Sequence, residues 1–139
     1  MENAKNYKIG TPGVKWNSED KKSWLAQQTI KRSYQKEVVM KLEALKEQFD
    51  VEQYDELIYG ALNYPLFTVK TRNWDKQKSN VLITGGVHGY ETSGVQGAIR
   101  FLEKEALTYS KDFNIIVVPC VSPWGYETIN RWNPDAIDP

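Results

Sequence analysis

Two residue types are nearly missing from this sequence, and their scarcity excludes more than its composition asserts. Among 139 residues there is one cysteine, Cys120, and one histidine, His88. A single cysteine rules out any disulfide within the chain and fits a reducing compartment, so the cytoplasm is the expected location. A single histidine rules out every site that takes two from one chain, H-E-x-x-H zinc sites and Cys2His2 fingers included. Net charge is missing as well. Eighteen Lys and Arg balance eighteen Asp and Glu, leaving no field to recruit nucleic acid or an anionic membrane surface. The longest apolar run, Ile115 to Val121, is interrupted by Pro119 and falls far below a membrane span. Residues 1–16 contain no apolar stretch of the signal-peptide kind. What is there is globular in character, 40% apolar and 26% charged, at a length expected for one ordinary domain.

The chain divides into a helical front and an α/β back. Residues 1–17 read as an irregular lead-in with a turn at Thr11-Pro12-Gly13. Ser18 is placed to cap a helix whose first turn carries Glu19 and Asp20, where the helix dipole favours negative charge. Val38, Leu42, Leu45 and Phe49 recur as one helical face; the pattern leaves open whether residues 18–49 form one helix or two. Tyr54, Leu57 and Ile58 read as a short helical turn ending near Gly60. After Pro65 the period becomes two. Leu66 to Thr71 and Asn80 to Thr84 read as strands around a polar turn, and so short a connection predicts an antiparallel pair. Val95, Ala98, Ile99, Leu102 and Ala106 then form a helical stripe, followed by an apolar strand from Phe113 to Pro119. Strand, helix and strand make a βαβ unit with parallel strands. The fold class is therefore α/β, with a helical N-terminal extension over 1–60 and the first strands and βαβ unit of a mixed sheet over 61–139.

The chemistry gathers where the second of these strands ends. Gly85-Gly86-Val87-His88-Gly89-Tyr90-Glu91 leads from a strand into a helix, the place where open α/β sheets bind ligands. It has neither the Lys-Ser/Thr ending of a P-loop nor a G-x-G-x-x-G register, so a nucleotide reading is weak. His88 and Glu91 are three residues apart, which lets an imidazole nitrogen and a carboxylate converge on one ion. Zinc accepts both donors. A histidine bonded to a neighbouring carboxylate as plain turn structure is the competing reading.

The run VLITGGVHGYETSGVQGAIRF, from Val81 to Phe101, resembles the zinc carboxypeptidase family, the carboxypeptidase A-like metallopeptidases. In that family an H-x-x-E pair after a buried strand supplies the first two zinc ligands, and the related aspartoacylase and succinylglutamate desuccinylase branch shares the pair. Val117-Val118-Pro119 followed by Ser122-Pro123-Trp124-Gly125-Tyr126 resembles the family's next strand and its N-P-D-G-[FY] turn. Arg131 sits where the family has an arginine beside the scissile carbonyl, and Asn133 to Asp138 resembles the approach to its D-x-N-R segment. The resemblance covers about residues 64–139. It implies a mixed-sheet zinc-peptidase fold, zinc held by His88 and Glu91, and Arg131 as the group that stabilises the oxyanion. The sequence departs from the family at Tyr90, where an arginine is frequent, and at Ser122 and Trp124, which replace the Asn and Asp of the turn. The family's third ligand, a histidine, and its general-base glutamate lie downstream, and His88 has no second histidine beside it. The resemblance thus implies the amino-terminal part of a catalytic domain, truncated and inactive alone. Asp135 and Asp138 are the carboxylates available to complete a weak site, a less favoured arrangement.

The expected substrate is a peptide, or an N-acyl amino acid if the deacylase branch is the better match; a non-catalytic binding role is the alternative from another class. No nucleic acid or membrane partner is expected. A sheet edge left unpaired by truncation would allow self-association. Cys120, ending a buried strand, reads as a small core residue. Trp124, Tyr126 and Trp132 read as covering the open end of the sheet rather than lining a pocket. Apart from its family role, Arg131 has Asp135 or Glu127 as candidate ion-pair partners.

Overall fold

The computed structural model describes residues 8–139; the first seven residues of the lead-in lie outside that range. The turn at Thr11-Pro12-Gly13 is closed by a bond from Val14 N–H to Thr11 O (3.1 Å). Helix α1 runs Ser18–Leu25, and its cap is Asn17 rather than Ser18. The Asn17 carboxamide oxygen accepts from the N–H groups of Glu19 (2.8 Å) and Asp20 (3.0 Å), and the Asp20 carboxylate accepts from Asn17 N–H (3.0 Å). This reciprocal capping box satisfies donors that Ser18, one residue too late, would leave free.

The open choice between one front helix and two resolves as two. An irregular stretch separates α1 from a π-helical turn, Gln35–Val39, which runs into α2, Met40–Glu43. The spacing of Val38, Leu42, Leu45 and Phe49 does mark one buried face, with none of the four more than 7% exposed.

Residues 50–59 correct the sequence reading: they are strand β1, Asp50–Tyr59, and not a helical turn. Gly60, at φ 61°, takes the left-handed conformation that a tight hairpin turn needs, and Tyr59 pairs with Leu62 across it. Alternation was obscured because a bulge shifts the register between Gln53 and Asp55, and only Val51, Leu57 and Tyr59 lean on the core. The partner strand β2, Leu62–Lys70, begins before Pro65. Strand β3 is Ser79–Thr84, helix α3 Thr92–Lys104, the short α4 Ala106–Tyr109, strand β4 Phe113–Val118 and helix α5 Pro123–Thr128.

The four-stranded mixed sheet has the order β1-β2-β4-β3. β3 and β4 are parallel, in register from Ser79↔Phe113 to Thr84↔Val118, as a βαβ unit requires. β2 is antiparallel to β4 and does not pair with β3, contrary to the antiparallel pair that the short connection predicted. β4 lies between them, and Thr71 secures the junction by donating its N–H to Ile115 O (3.1 Å) and accepting Ile115 N–H at its hydroxyl (3.1 Å). One apolar cluster joins the front helical face, the α3 residues Val95, Ala98, Ile99 and Leu102, and Val69, Ile115 and Val117 of the sheet. Among the described residues no helix is long and apolar enough to cross a membrane.

Candidate metal centre

The turn that carries His88 continues the β3–β4 pairing beyond the strands. Gly85 N–H donates to Val118 O (2.8 Å), and Val121 and Ser122 donate back to Gly85 O (3.0 Å) and Gly86 O (2.9 Å). The Ser122 hydroxyl then donates to Val87 O (2.6 Å). Gly89 is where the two connections touch. A Cβ there would lie 2.0 Å from both Gly125 C and Tyr126 N, so only glycine permits this approach. Tyr90 N–H donates to Asn130 O (3.1 Å), and Glu91 N–H to His88 O (3.3 Å), which folds the turn and brings residues 88 and 91 to one side.

His88 Nδ1 stands 3.3 Å from Glu91 Oε1. Two donors about 2.1 Å from a tetrahedral zinc are separated by about 3.4 Å, so this spacing matches one edge of such a centre. The other ring nitrogen, Nε2, is 2.9 Å from Asp138 Oδ1, the arrangement in which a carboxylate accepts the remote N–H of a metal-bound histidine. Asp138 therefore faces the far side of the ring from Glu91, and it does not complete a ligand set with it. Asp135, the other carboxylate considered for that role, lines a separate apolar cavity of about 470 Å³ with Leu25, Tyr59 and Trp124. Among the described residues no third His, Cys, Asp or Glu side chain converges on the pair. The chemistry and spacing of these two donors are compatible with zinc.

Arg131 donates from Nε to Asp138 Oδ2 (2.8 Å). Its ion-pair partner is neither Asp135 nor Glu127, the two candidates from the sequence. Asp138 arrives because Asn133 ties off the preceding turn: its side-chain oxygen accepts from the N–H groups of Asp135 and Ile137, both at 3.0 Å. Nothing in the sequence marks Asn133 for that task except the Asn-Pro-Asp turn signal itself. The Arg131 contact, first, holds the Asp138 carboxyl below its ordinary range, and Asp138, with the Tyr90 hydroxyl beside it, pushes Arg131 further above its own. His88 is the sheltered member of the group, while Glu91, Asp138 and Arg131 are about half exposed.

The ground beneath this turn is polar and fully satisfied. The Tyr126 hydroxyl donates to Glu37 (2.6 Å) and accepts from Gln96 (2.8 Å); burial, then the Glu37 carboxylate, push it up to about 12. Glu127 is buried and accepts from Tyr34 N–H (2.7 Å) and the Tyr64 hydroxyl (3.0 Å). Trp124 and Tyr126 are core residues, and Trp132 packs 5.6 Å from both Trp16 and Trp24 in an aromatic group over that end of the molecule. Arg32, which no motif marked, places its guanidinium over the Tyr126 ring, 3.5 Å from the centroid.

The architecture recurs in solved metallopeptidases. A protein described as a metallopeptidase from Shewanella amazonensis aligns with a TM-score of 0.62 at 23% identity, over 81% of this chain and 45% of that one. The metallo-carboxypeptidase of Pseudomonas aeruginosa, solved with (2-guanidinoethylmercapto)succinic acid, gives 0.55 at 17% identity, over 72% of this chain and 28% of its own. That of Burkholderia cenocepacia gives 0.55 at 20% identity, over 72% and 30%. The chain has a metallo-carboxypeptidase-like mixed α/β fold, and it spans less than half the length of these structures. No family model and no curated protein matches the sequence.

Proposed function

We propose that this chain carries the front part of a zinc-dependent hydrolase site acting on peptide bonds, with His88 and Glu91 as the first two metal ligands. The observation that carries the reading is the 3.3 Å separation of His88 Nδ1 from Glu91 Oε1 while Asp138 occupies Nε2. With its Nε2 proton accepted by Asp138, His88 is set in the tautomer that turns the Nδ1 lone pair toward the Glu91 side. A bound zinc ion supplies Lewis acidity, polarising a carbonyl and bringing the pKa of water near about 7. Arg131 is a half-exposed cation held in place by Asp138, available to a carbonyl oxygen as negative charge develops on it. Two donors without a converging third His, Cys, Asp or Glu side chain among the described residues bind zinc weakly. The chain by itself is therefore expected to bind metal without turnover.

Competition titration with a zinc indicator tests the reading. The wild type should bind one zinc ion per chain saturably, and His88→Ala and Glu91→Ala should each abolish it. Asp138→Asn should weaken binding by roughly 10- to 100-fold, the range for an outer partner of a ligating histidine. Absence of one-to-one binding in the wild type, or its persistence in His88→Ala, overturns the proposal.

A further inference from the structure

The amino-terminal segment enters the candidate centre through one side chain. Arg32 lies in the irregular stretch between α1 and the π-helical turn, and the N–H groups of Lys31 and Arg32 both donate to Glu127 O (2.8 and 3.3 Å). From that anchorage the guanidinium donates through Nη2 to Gly89 O (3.0 Å), through Nη1 to the Thr92 hydroxyl (2.5 Å) and through Nε to Tyr126 O (2.5 Å). Its face covers the Tyr126 ring. Every nitrogen of the fork has an acceptor, and the three acceptors belong to three different pieces: the His88–Glu91 turn, the first residue of α3, and α5.

We infer that Arg32 is the positioning residue of the His88–Glu91 turn, which makes the amino-terminal segment part of the site rather than a removable extension. Gly89 is the residue between His88 and Tyr90, so fixing its carbonyl fixes the peptide plane from which the turn toward Glu91 begins. The hydroxyl bond at Thr92 fixes the other end, one residue past Glu91. Gly89 is already pressed against the Gly125 backbone, and Arg32 spans that same contact by holding Gly89 O and Tyr126 O at once. A planar fork that donates in three directions while stacking on a ring has no lysine equivalent. The effect expected on zinc rests on the proposed metal reading; the effect on the turn does not.

The test uses the full chain with Arg32→Ala and Arg32→Lys. Amide hydrogen exchange is followed at Tyr90 and Glu91, whose N–H groups are bonded to Asn130 O and His88 O, and at Thr68 and Lys70 of the β1–β2 hairpin, paired with Glu52 and Asp50, as a reference for global opening. Both variants should exchange at least about tenfold faster at Tyr90 and Glu91, with the hairpin unchanged, and zinc affinity should fall by about tenfold or more. Turn amides that exchange at the wild-type rate, or that speed up only together with the hairpin, overturn the inference, and so does faster exchange with wild-type zinc affinity. If the wild type binds no zinc, the metal reading fails and the turn amides alone decide the role of Arg32. If the alanine variant does not fold, the lysine variant, which keeps the charge and loses the fork, carries the same measurements.

Discussion

Burial raises the Cys120 thiol from its ordinary 9.0 to about 12, outweighing the lowering effects of a Ser122 backbone bond and the Arg32 charge. At 2% exposure the sulfur is also out of reach of reagents. Native protein at pH 8 should therefore resist iodoacetamide and label only in denaturant; labelling at the rate of a free thiol would contradict this. The folded value lies above the unfolded one, so the unfolded thiol ionises first and stability falls as pH rises from about 9 toward 12. Glu127 is buried and matters through what it accepts. Glu127→Ala strands the Tyr34 N–H and the Tyr64 hydroxyl, at an expected cost of about 3 kcal/mol in urea unfolding, while Glu127→Gln keeps an acceptor and costs less. A loss below about 1 kcal/mol would show that water replaces both bonds. At this scale the sequence was readable where partners are close along the chain: His88 and Glu91 are three residues apart and do meet. Arg32 was invisible because its partners lie 57, 60 and 94 residues away. Asp138 was visible as a carboxylate, but its place on the far ring nitrogen depends on the turn that Asn133 closes.

Two glycines separate what a connection needs from what a helix needs. Gly89 has no room for a methyl group, since backbone atoms of α5 occupy the Cβ position at 2.0 Å. Gly89→Ala should push α5 away, disrupt the His88–Glu91 turn and lower the thermal midpoint by several degrees. Gly97, inside α3, meets nothing within 4 Å of an added Cβ. Gly97→Ala should stabilise by about 0.5–1 kcal/mol through helix propensity alone. Differential scanning calorimetry reads both, and equal effects of the two substitutions would refute the distinction. The elements that were legible in the sequence are those with a clean pattern, such as α3 with its stripe from Val95 to Leu102 and β4 with its apolar run from Ile115 to Val118. β1 was not legible: its bulge at Gln53/Asp55 breaks the alternation, and Tyr54, Leu57 and Ile58 mimic a helical spacing. The missing β2–β3 pair has a different cause. A short connection permits pairing of its flanking strands, but β4, arriving later in the chain, pairs with both of them and separates them.

The strand order leaves β1 and β3 as the two edges of the sheet among the described residues, and they differ in how they meet solvent. β1 carries Asp50, Glu52, Asp55 and Glu56 along with a bulge, both of which discourage a further strand from pairing. β3 reads Ser-Asn-Val-Leu-Ile-Thr, uncharged throughout, with Leu82 65% exposed. An apolar hollow of about 240 Å³ lined by Val81, Ile83, Phe101 and Tyr109 lies against it. An uncharged, apolar edge whose outer N–H and C=O groups lack strand partners is a template for strand addition. Two copies of this chain meeting at β3 would satisfy those groups and cover Leu82 together. Sedimentation velocity over a concentration series should therefore show self-association of the wild type, and Leu82→Lys should shift the equilibrium toward monomer by placing like charges at the contact. The same charge placed on the β1 edge, as in Gln53→Lys, should leave association unchanged. A wild type that stays monomeric at every concentration would show that β3 is protected by something other than a partner strand, and equal effects of the two lysines would point to a general charge effect instead of pairing at β3.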